Sequence, residues 1–240
     1  MFLELNIKTQ ENLTKYLEVL KSQDYSEVSI TSKKNNLDLV TVLNTLQNNK
    51  LKIIPTFSCS SNYNQNANQT YKEFLSFVKI LKQNKINQLL LVSGNPKMKL
   101  ETLKVLEQFG NESDDQSEYQ SIKIAVAYNL YCKNMDIENQ RLKAKLVYPN
   151  VNQVWLQLGQ DLEKLKTGVD FIRKINPNIV IINSVLMPTQ SLLKSLQFRP
   201  WAGVYYCDQF YNDINFALKS TGEMKRLSKQ LGLKILISGV

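Results

Sequence analysis

The chain has 240 residues, of which 43% are hydrophobic, and these fall in short runs instead of one long apolar stretch. Its net charge of +9 comes mostly from lysine, because only 4 of the 30 basic residues are arginines suited to bidentate phosphate recognition. The absence of histidine excludes Ser-His-Asp catalysis and histidine-ligated metals. This composition favours one globular domain over a nucleic-acid-binding protein, a metalloenzyme or a membrane-spanning protein.

The cysteines and the first residues bear on location. Cys59, Cys132 and Cys207 are widely separated, with no CxxC pair, which predicts reduced thiols and no metal site. The opening MFLELNIKTQENL lacks the features of a secretory signal or a transit peptide. We therefore expect an intracellular, reducing compartment.

Apolar runs rich in Val, Ile and Leu alternate with segments of helical period along the whole chain, as in repeated βα units. The pattern predicts eight strands, which are FLELNI from Phe2, EVSITS from Glu27, KIIPTFS from Lys52, QLLLVSG from Gln88, IKIAVAY from Ile122, QVWLQL from Gln153, NIVIINSV from Asn178 and LKILISG from Leu233. Helices are expected over 10–22, 37–48, 69–84, 98–109, 136–147, 160–175, 189–197 and 213–231. An acidic loop, NESDDQSEY, precedes the fifth strand.

Eight such strands could form an open doubly wound sheet or a closed barrel, and the polar pattern favours the barrel. In the first strand Leu3 and Leu5 would face the helices, which leaves Glu4 pointing inward. In the sixth strand Trp155 and Gln157 would point inward. Inward polar side chains near strand carboxyl ends are typical of barrel enzymes, so we predict a single α/β domain over 1–240, a (β/α)8 TIM barrel.

The end of the sequence carries a further expectation. The chain stops in the eighth strand, so the barrel would lack the final helix after strand eight. An apolar seam beside strands one and eight would then be uncovered. Because large exposed apolar patches are rare on soluble monomers, we expect other protein subunits to cover this seam.

Several short segments, in order, resemble the methylenetetrahydrofolate reductase family. They are FLELN at Phe2, PTFSC at Pro55, LLLVSGNPK at Leu89, AVAYN at Ala125, LKAKL at Leu142, VWLQL at Val154 and INSVLMP at Ile182. The resemblance extends over nearly the whole chain and implies a barrel that binds FAD and a folate.

The resemblance also implies roles for individual residues. Glu4 matches the general acid of that family, and Gln157 matches a glutamine that contacts the folate substrate. A structural ion pair between Glu4 and a lysine is the alternative for that carboxylate. Matches to cofactor-binding positions are Ser58, Gly94, Asn95, Ala127, Tyr128 and Lys145.

Two departures weaken the implied flavin site. Ser93 and Asn95 stand where the family has an arginine and an aspartate. A charge-assisted hydrogen bond contributes roughly 1.5–3 kcal/mol, so the loss of these groups predicts weakened FAD binding. We expect no resident metal.

Three hypotheses for function follow. The first is a degenerate reductase-like barrel that acts as a non-catalytic or weakly catalytic accessory subunit of a larger assembly, with a mitochondrial location suggested by its basicity. The second is an active FAD-dependent reductase that uses NAD(P)H, with Glu4 as acid and Gln157 as substrate clamp. The third is an RNA-binding or lipid-binding module that uses the lysine-rich surface.

Overall fold

A computed structural model describes residues 1–22, 25–31, 38–60, 66–93, 100–112, 121–201 and 203–239. The strands are β1 (Phe2–Leu5), β2 (Glu27–Ile30), β3 (Lys52–Ser58), β4 (Gln88–Val92), β5 (Lys123–Tyr128), β6 (Val151–Leu156), β7 (Val180–Leu186) and β8 (Lys234–Ser238). The helices are α1 (Gln10–Ser22), α2 (Leu39–Asn48), α3 (Ala67–Gln83), α4 (Thr102–Glu112), α5 (Met135–Lys145), α6 (Leu162–Ile175), α7 (Gln190–Phe198), α8 (Asp208–Asn212) and α9 (Ile214–Gln230).

The eight strands form a closed barrel in sequence order, β1 to β8. Parallel pairing of β1 with β8 closes it, and Phe2 lies opposite Leu236 in that ladder. Parallel neighbours require a crossover connection, which the intervening helices supply. The predicted (β/α)8 barrel is therefore confirmed, and β8 is the last element of the described chain.

Contacts within the chain define two compact units. The first unit comprises Met1–Glu4, Ala127–Lys143 and Gln153–Val240. The second unit comprises Leu5–Val126 and Ala144–Asn152. Each unit has its own packed centre, as the next two paragraphs describe.

In the first unit, Trp155 of β6 contacts Phe2 of β1, with ring centroids 6.0 Å apart. Because β1 and β6 are not neighbours in the barrel, these side chains meet across its interior. The inward position expected for Trp155 is therefore confirmed. Its indole Nε1 donates to Oε1 of Gln153 at 3.1 Å, which satisfies this buried donor. Outside the barrel, a buried apolar cluster includes Leu186 and Phe210.

In the second unit, aromatic rings join β3 to its helices. The ring centroid of Phe74 in α3 lies 5.3 Å from that of Phe57 and 5.4 Å from that of Phe109 in α4. Phe57 therefore faces the helices. Alternation along β3 then places Lys52 and Ser58, its first and last residues, on the opposite side of the strand.

Two features differ from the sequence-based expectations. The short helix α8 was not predicted, and the described residues between α7 and α8, 199–201 and 203–207, are irregular. The outward positions of the seam are buried by the described chain itself, since Leu3 and Ile237 are 0% exposed and Ile235 is 6% exposed. A partner over this seam stays a prediction, and no exposed apolar seam supports it.

Membrane-spanning helices and clustered metal ligands are both absent from the described residues. None of their helices is both long enough and apolar enough to cross a bilayer. No group of three or more cysteine, aspartate or glutamate side chains among them is placed to hold a metal ion.

Candidate ligand site at the carboxyl ends of β5 and β6

The carboxyl ends of parallel barrel strands are where barrel proteins build their sites. In the first unit, Asn129 directly follows β5 and Gln157 directly follows β6. The backbone N–H of Gln157 donates to the carbonyl of Tyr128 at 3.1 Å, which extends the strand ladder by one residue. In parallel pairing this bond sets Gln157 opposite Asn129. Two amide side chains therefore stand side by side at the strand ends.

The segment that follows α7 returns to these strand ends. The N–H of Tyr205 donates to the carbonyl of Leu158 at 3.1 Å, and Gly159 and Tyr205 form an isolated parallel bridge. The ring of Tyr205 stacks on that of Tyr131, with centroids 4.8 Å apart and planes inclined by 16°. We call Asn129, Tyr131, Gln157 and Tyr205 the tyrosine–amide cluster.

Hydrogen bonds hold this cluster together. Asn129 donates from Nδ2 to the hydroxyl of Tyr205 at 3.0 Å and accepts at Oδ1 from the N–H of Tyr131 at 2.9 Å. Its own N–H donates to Oε1 of the buried Glu138 at 2.9 Å. Asn129 therefore holds the Tyr205 hydroxyl and the Tyr131 backbone, and Glu138 of α5 holds the Asn129 backbone.

Gln157 is tied to the returning segment. Its Nε2 donates to the carbonyl oxygen of Gly203 at 2.5 Å. Gly203 has φ of +83°, a conformation that L side chains rarely adopt, and an added Cβ would overlap the Gln157 amide. Glycine at this position therefore permits both the turn and the close approach of the two segments that carry Gly203 and Gln157.

Two phenols of this region, those of Tyr131 and Tyr206, have raised pKa values and are uncharged near neutral pH. Burial raises the pKa of Tyr131 to about 12, although its hydroxyl accepts from the N–H of Asp161 at 3.4 Å. Burial also raises the pKa of Tyr206, whose hydroxyl accepts from the N–H of Leu186 at 3.3 Å. The ammonium of Lys164 lies 5.4 Å from the centroid of the Tyr131 ring. Amides and neutral phenols suit the recognition of a polar, flat, uncharged group.

The predicted site residues of the first unit fall in different surroundings. Gln157 belongs to the cluster, and Ala127 lies at the carboxyl end of β5. Glu4 is half-buried on the same strand face as Phe2, which places it on the interior side of β1. Tyr128 points to the helices, because its hydroxyl donates to Oδ1 of Asn139 at 2.5 Å. Burial raises the pKa of Tyr128 to about 12.

The remaining predicted residues lie elsewhere. In the second unit, Ser58 ends β3, and its Oγ is hydrogen-bonded to that of Ser60 at 2.9 Å. Lys145 ends α5, where the chain returns toward the start of β6. Gly94 and Asn95 lie outside the described residues. The roles assigned to these side chains stay predictions.

Sequence reasoning missed three members of the cluster. Asn129 and Tyr131 directly follow the predicted fifth strand, in a turn without periodicity. Tyr205 lies in the irregular segment before α8, more than 70 residues along the chain from Asn129. A signal for Asn129 did exist, since a polar residue at the carboxyl end of a barrel strand is a candidate by position alone.

Known structures share this fold. A protein from Clostridium thermocellum, described as binding two copies of 5-methyl-5,6,7,8-tetrahydrofolic acid, matches with a TM-score of 0.68, 14% identity, and coverage of 98% of this chain and 86% of that one. A chitinase domain from Pyrococcus furiosus matches with a TM-score of 0.58, 9% identity, and coverage of 98% and 82%. A probable 3-DHS dehydratase from Bacillus anthracis matches with a TM-score of 0.54, 10% identity, and coverage of 100% and 93%.

No protein-family model matches the chain, and no curated protein matches it. The resemblance to methylenetetrahydrofolate reductases is therefore wrong, because the structural neighbours are TIM barrels of other kinds. The matched segments are mostly buried strands, which (β/α)8 barrels share whatever their function. Similarities of such low identity establish the fold that this chain shares with these proteins.

Proposed function

We propose that this barrel binds a reduced folate, or a ligand with a similarly flat and polar ring, at the tyrosine–amide cluster. The observation that carries the proposal is the pairing of Gln157 and Asn129 beside the stacked rings of Tyr131 and Tyr205. The description of the Clostridium thermocellum protein, which binds a methyltetrahydrofolate, supports this choice of ligand.

Gln157 suits a pterin ring because an amide offers one acceptor and two donors in a plane. Its Nε2 already donates to a carbonyl oxygen, that of Gly203. A ring carbonyl of the ligand is the same kind of acceptor, so a bound ligand would exchange one hydrogen bond for another. Such an exchange leaves no donor of Gln157 unsatisfied, and the Gly203 carbonyl is the group that loses its partner.

The tyrosines supply a flat surface. Offset stacking of aromatic rings contributes about 0.5–1.5 kcal/mol beyond the burial of their area. Asn129 holds the hydroxyl of Tyr205 at 3.0 Å, so this ring is oriented before any ligand arrives. Preorganised side chains lose less conformational entropy on binding, which favours affinity.

We assign the barrel a binding role with little or no catalysis. The raised pKa of Tyr131, about 12, removes that phenol from proton transfer near neutral pH. Glu4 remains the candidate acid if a weak activity exists. FAD remains a weaker proposal, and a flavin absorption spectrum of the purified protein tests it.

The direct test is a calorimetric titration with 5-methyltetrahydrofolate. We expect saturable binding to the unaltered protein and about tenfold weaker binding to Gln157→Ala, the loss of roughly one hydrogen bond. Gln209→Ala is the matched control, because Gln209 is an exposed residue of α8. Absence of saturable binding, or equal losses in both variants, would contradict the proposal.

A second proposal is that the protein works as an accessory subunit within a larger assembly. Its support is Phe198 at the end of α7, which is 93% exposed, and Trp201, which is 42% exposed. Aromatic side chains that project from a surface are frequent anchors of protein interfaces. The compartment of such an assembly stays a prediction.

Affinity capture from cell extract tests this second proposal. We expect defined partner chains with the unaltered protein and their loss with Phe198→Ser. Leu218→Ser, at an apolar residue of α9 that is 49% exposed, is the control and should retain the partners. Recovery of the free monomer alone would count against an accessory role.

A further inference from the structure

A second candidate site lies in the second unit, at the amino ends of β3 and β4. A cavity of about 120 Å³ is present there. Its polar lining consists of two lysines and three amides, which are Lys52, Lys85, Gln47, Asn87 and Gln88. Aliphatic residues complete the wall, and none of the described residues that line it carries a carboxylate. The cavity is therefore polar and positively charged.

Gln88, the first residue of β4, supplies the decisive observation. The residue is only 4% exposed. Its Nε2 is buried without a hydrogen-bond partner among the described residues. Buried polar groups are nearly always hydrogen-bonded in folded proteins, so an unpartnered amide that lines a cavity indicates a missing acceptor. By contrast, Nε2 of Gln47 donates to the carbonyl of Asn84 at 2.6 Å.

The two lysines indicate that the acceptor is an anion. Lys52 lies 3.5 Å from Oε1 of Glu27, and about half of the Lys52 side chain is exposed to solvent. Long, exposed pairs of this kind are weak, so they leave an ammonium available to a second negative group. Lys85 adds a further positive charge in the turn after α3. Ammonium groups only donate hydrogen bonds, so an amide donor beside two lysines matches a ligand that only accepts them.

We propose that this cavity binds a small oxyanion of the size of inorganic phosphate. The Gln88 amide and the ammonium groups of Lys52 and Lys85 are its recognition groups. At roughly 30 Å³ for each water molecule, a volume of about 120 Å³ holds about four waters, or one tetrahedral oxyanion with water beside it. The ligand differs from the one proposed for the tyrosine–amide cluster, and the two sets of recognition groups share no residue.

Inorganic phosphate is the probe for this site. Chloride at matched ionic strength serves as the reference, and calorimetry and thermal unfolding are the readouts. We expect saturable phosphate binding with a rise in unfolding temperature, because a ligand bound only to the folded state stabilises it. Chloride should produce neither effect.

Substitutions then distinguish the cavity from general attraction to a basic surface. Lys85→Gln should weaken phosphate binding about tenfold, because it removes one charge-assisted hydrogen bond. Lys104→Gln, at an exposed residue of α4, should leave binding unchanged. Gln88→Leu should abolish saturable binding, and Lys85→Gln keeps the test decisive if the Gln88 variant does not fold. Absence of saturable phosphate binding, or equal weakening in Lys85→Gln and Lys104→Gln, would overturn the proposal and leave a water-filled cavity.

Discussion

The tyrosine–amide cluster of the first unit and the cavity of the second unit each contain a glutamine side chain, but the hydrogen bonding of its amide differs between them. In the cluster, the Gln157 amide donates to a carbonyl of its own chain. In the cavity, the Gln88 amide has a buried donor without a partner among the described residues. A ligand at the cluster would therefore meet an amide that already has one partner, whereas a ligand at the cavity would satisfy a donor that the fold leaves unpaired.

This difference separates two ways to build a site in one barrel. A self-satisfied cluster keeps its geometry without a ligand, so its affinity depends on exchange and stacking. An unpaired donor destabilises the empty protein, so binding there should raise stability directly. Three measurements of stability test this difference between the two sites.

The largest effect is expected from glycine substitutions. An alanine Cβ at Gly159 would overlap the ring of Tyr131, so Gly159→Ala should lower the free energy of unfolding by roughly 3 kcal/mol. Gly110 in α4 is the counterpart in the second unit, since its Cβ would lie 3.5 Å from the Tyr148 ring. Gly110→Ala should be neutral or stabilising by up to about 1 kcal/mol. Urea unfolding measures both, and equal effects would show that the cluster is not tightly packed.

The second effect is a dependence on alkaline pH. Burial raises the pKa of Tyr131 to about 12, above the ordinary value of about 10 for a phenol, so the unfolded chain loses this proton first. The contribution of the protonated Tyr131 phenol to the free energy of unfolding is complete below pH 10 and is lost as the pH rises toward 12. About 1.4 kcal/mol of it is lost by pH 11. Tyr131→Phe should therefore flatten the decline in urea stability between pH 9 and about 11. Parallel curves for the variant and the unaltered protein would show that Tyr131 is not buried in this way.

The smallest effect compares the two amides directly. Gln157→Leu should lower the free energy of unfolding by about 1 kcal/mol, because the Gly203 carbonyl loses its donor. In phosphate-free buffer, Gln88→Leu should be neutral or stabilising by up to about 1 kcal/mol, because it removes an unpaired buried donor. Thermal or urea unfolding of both variants measures the difference. A larger cost for Gln88→Leu than for Gln157→Leu would contradict the contrast between the two sites.

Much of the fold was predictable from local patterns. Strands such as β3 were predicted with the observed bounds, and α1 likewise, because apolar periodicity reports which face of an element is buried. The inward position of Trp155 followed from alternation along β6 and is confirmed by its contact with Phe2. The helix α8 was missed because a five-residue helix has too few turns to show a period.

The candidate sites were much less predictable. Gln157 was identified, but its partner Gly203 lies in an irregular segment that no pattern connects to β6. Tyr128 was assigned to a cofactor site, although its hydroxyl bonds to Asn139 on α5. Gln88 was placed on a strand, and nothing in its neighbours indicates that its amide is unpaired. Hydrogen bonds between residues far apart in the chain produce no periodic pattern in the amino-acid sequence.

The amino-acid pattern was enough to predict the repeated βα order, the closed barrel and the inward direction of alternate strand residues, because these depend on short-range periodicity and on the burial of apolar faces. Three features became visible in the tertiary structure alone: Tyr131 stacks on Tyr205, Gln157 bonds to Gly203, and Gln88 lines a cavity with Gln47 and Lys52. Those contacts join segments separated by tens of residues, and their geometry depends on how the closed chain packs.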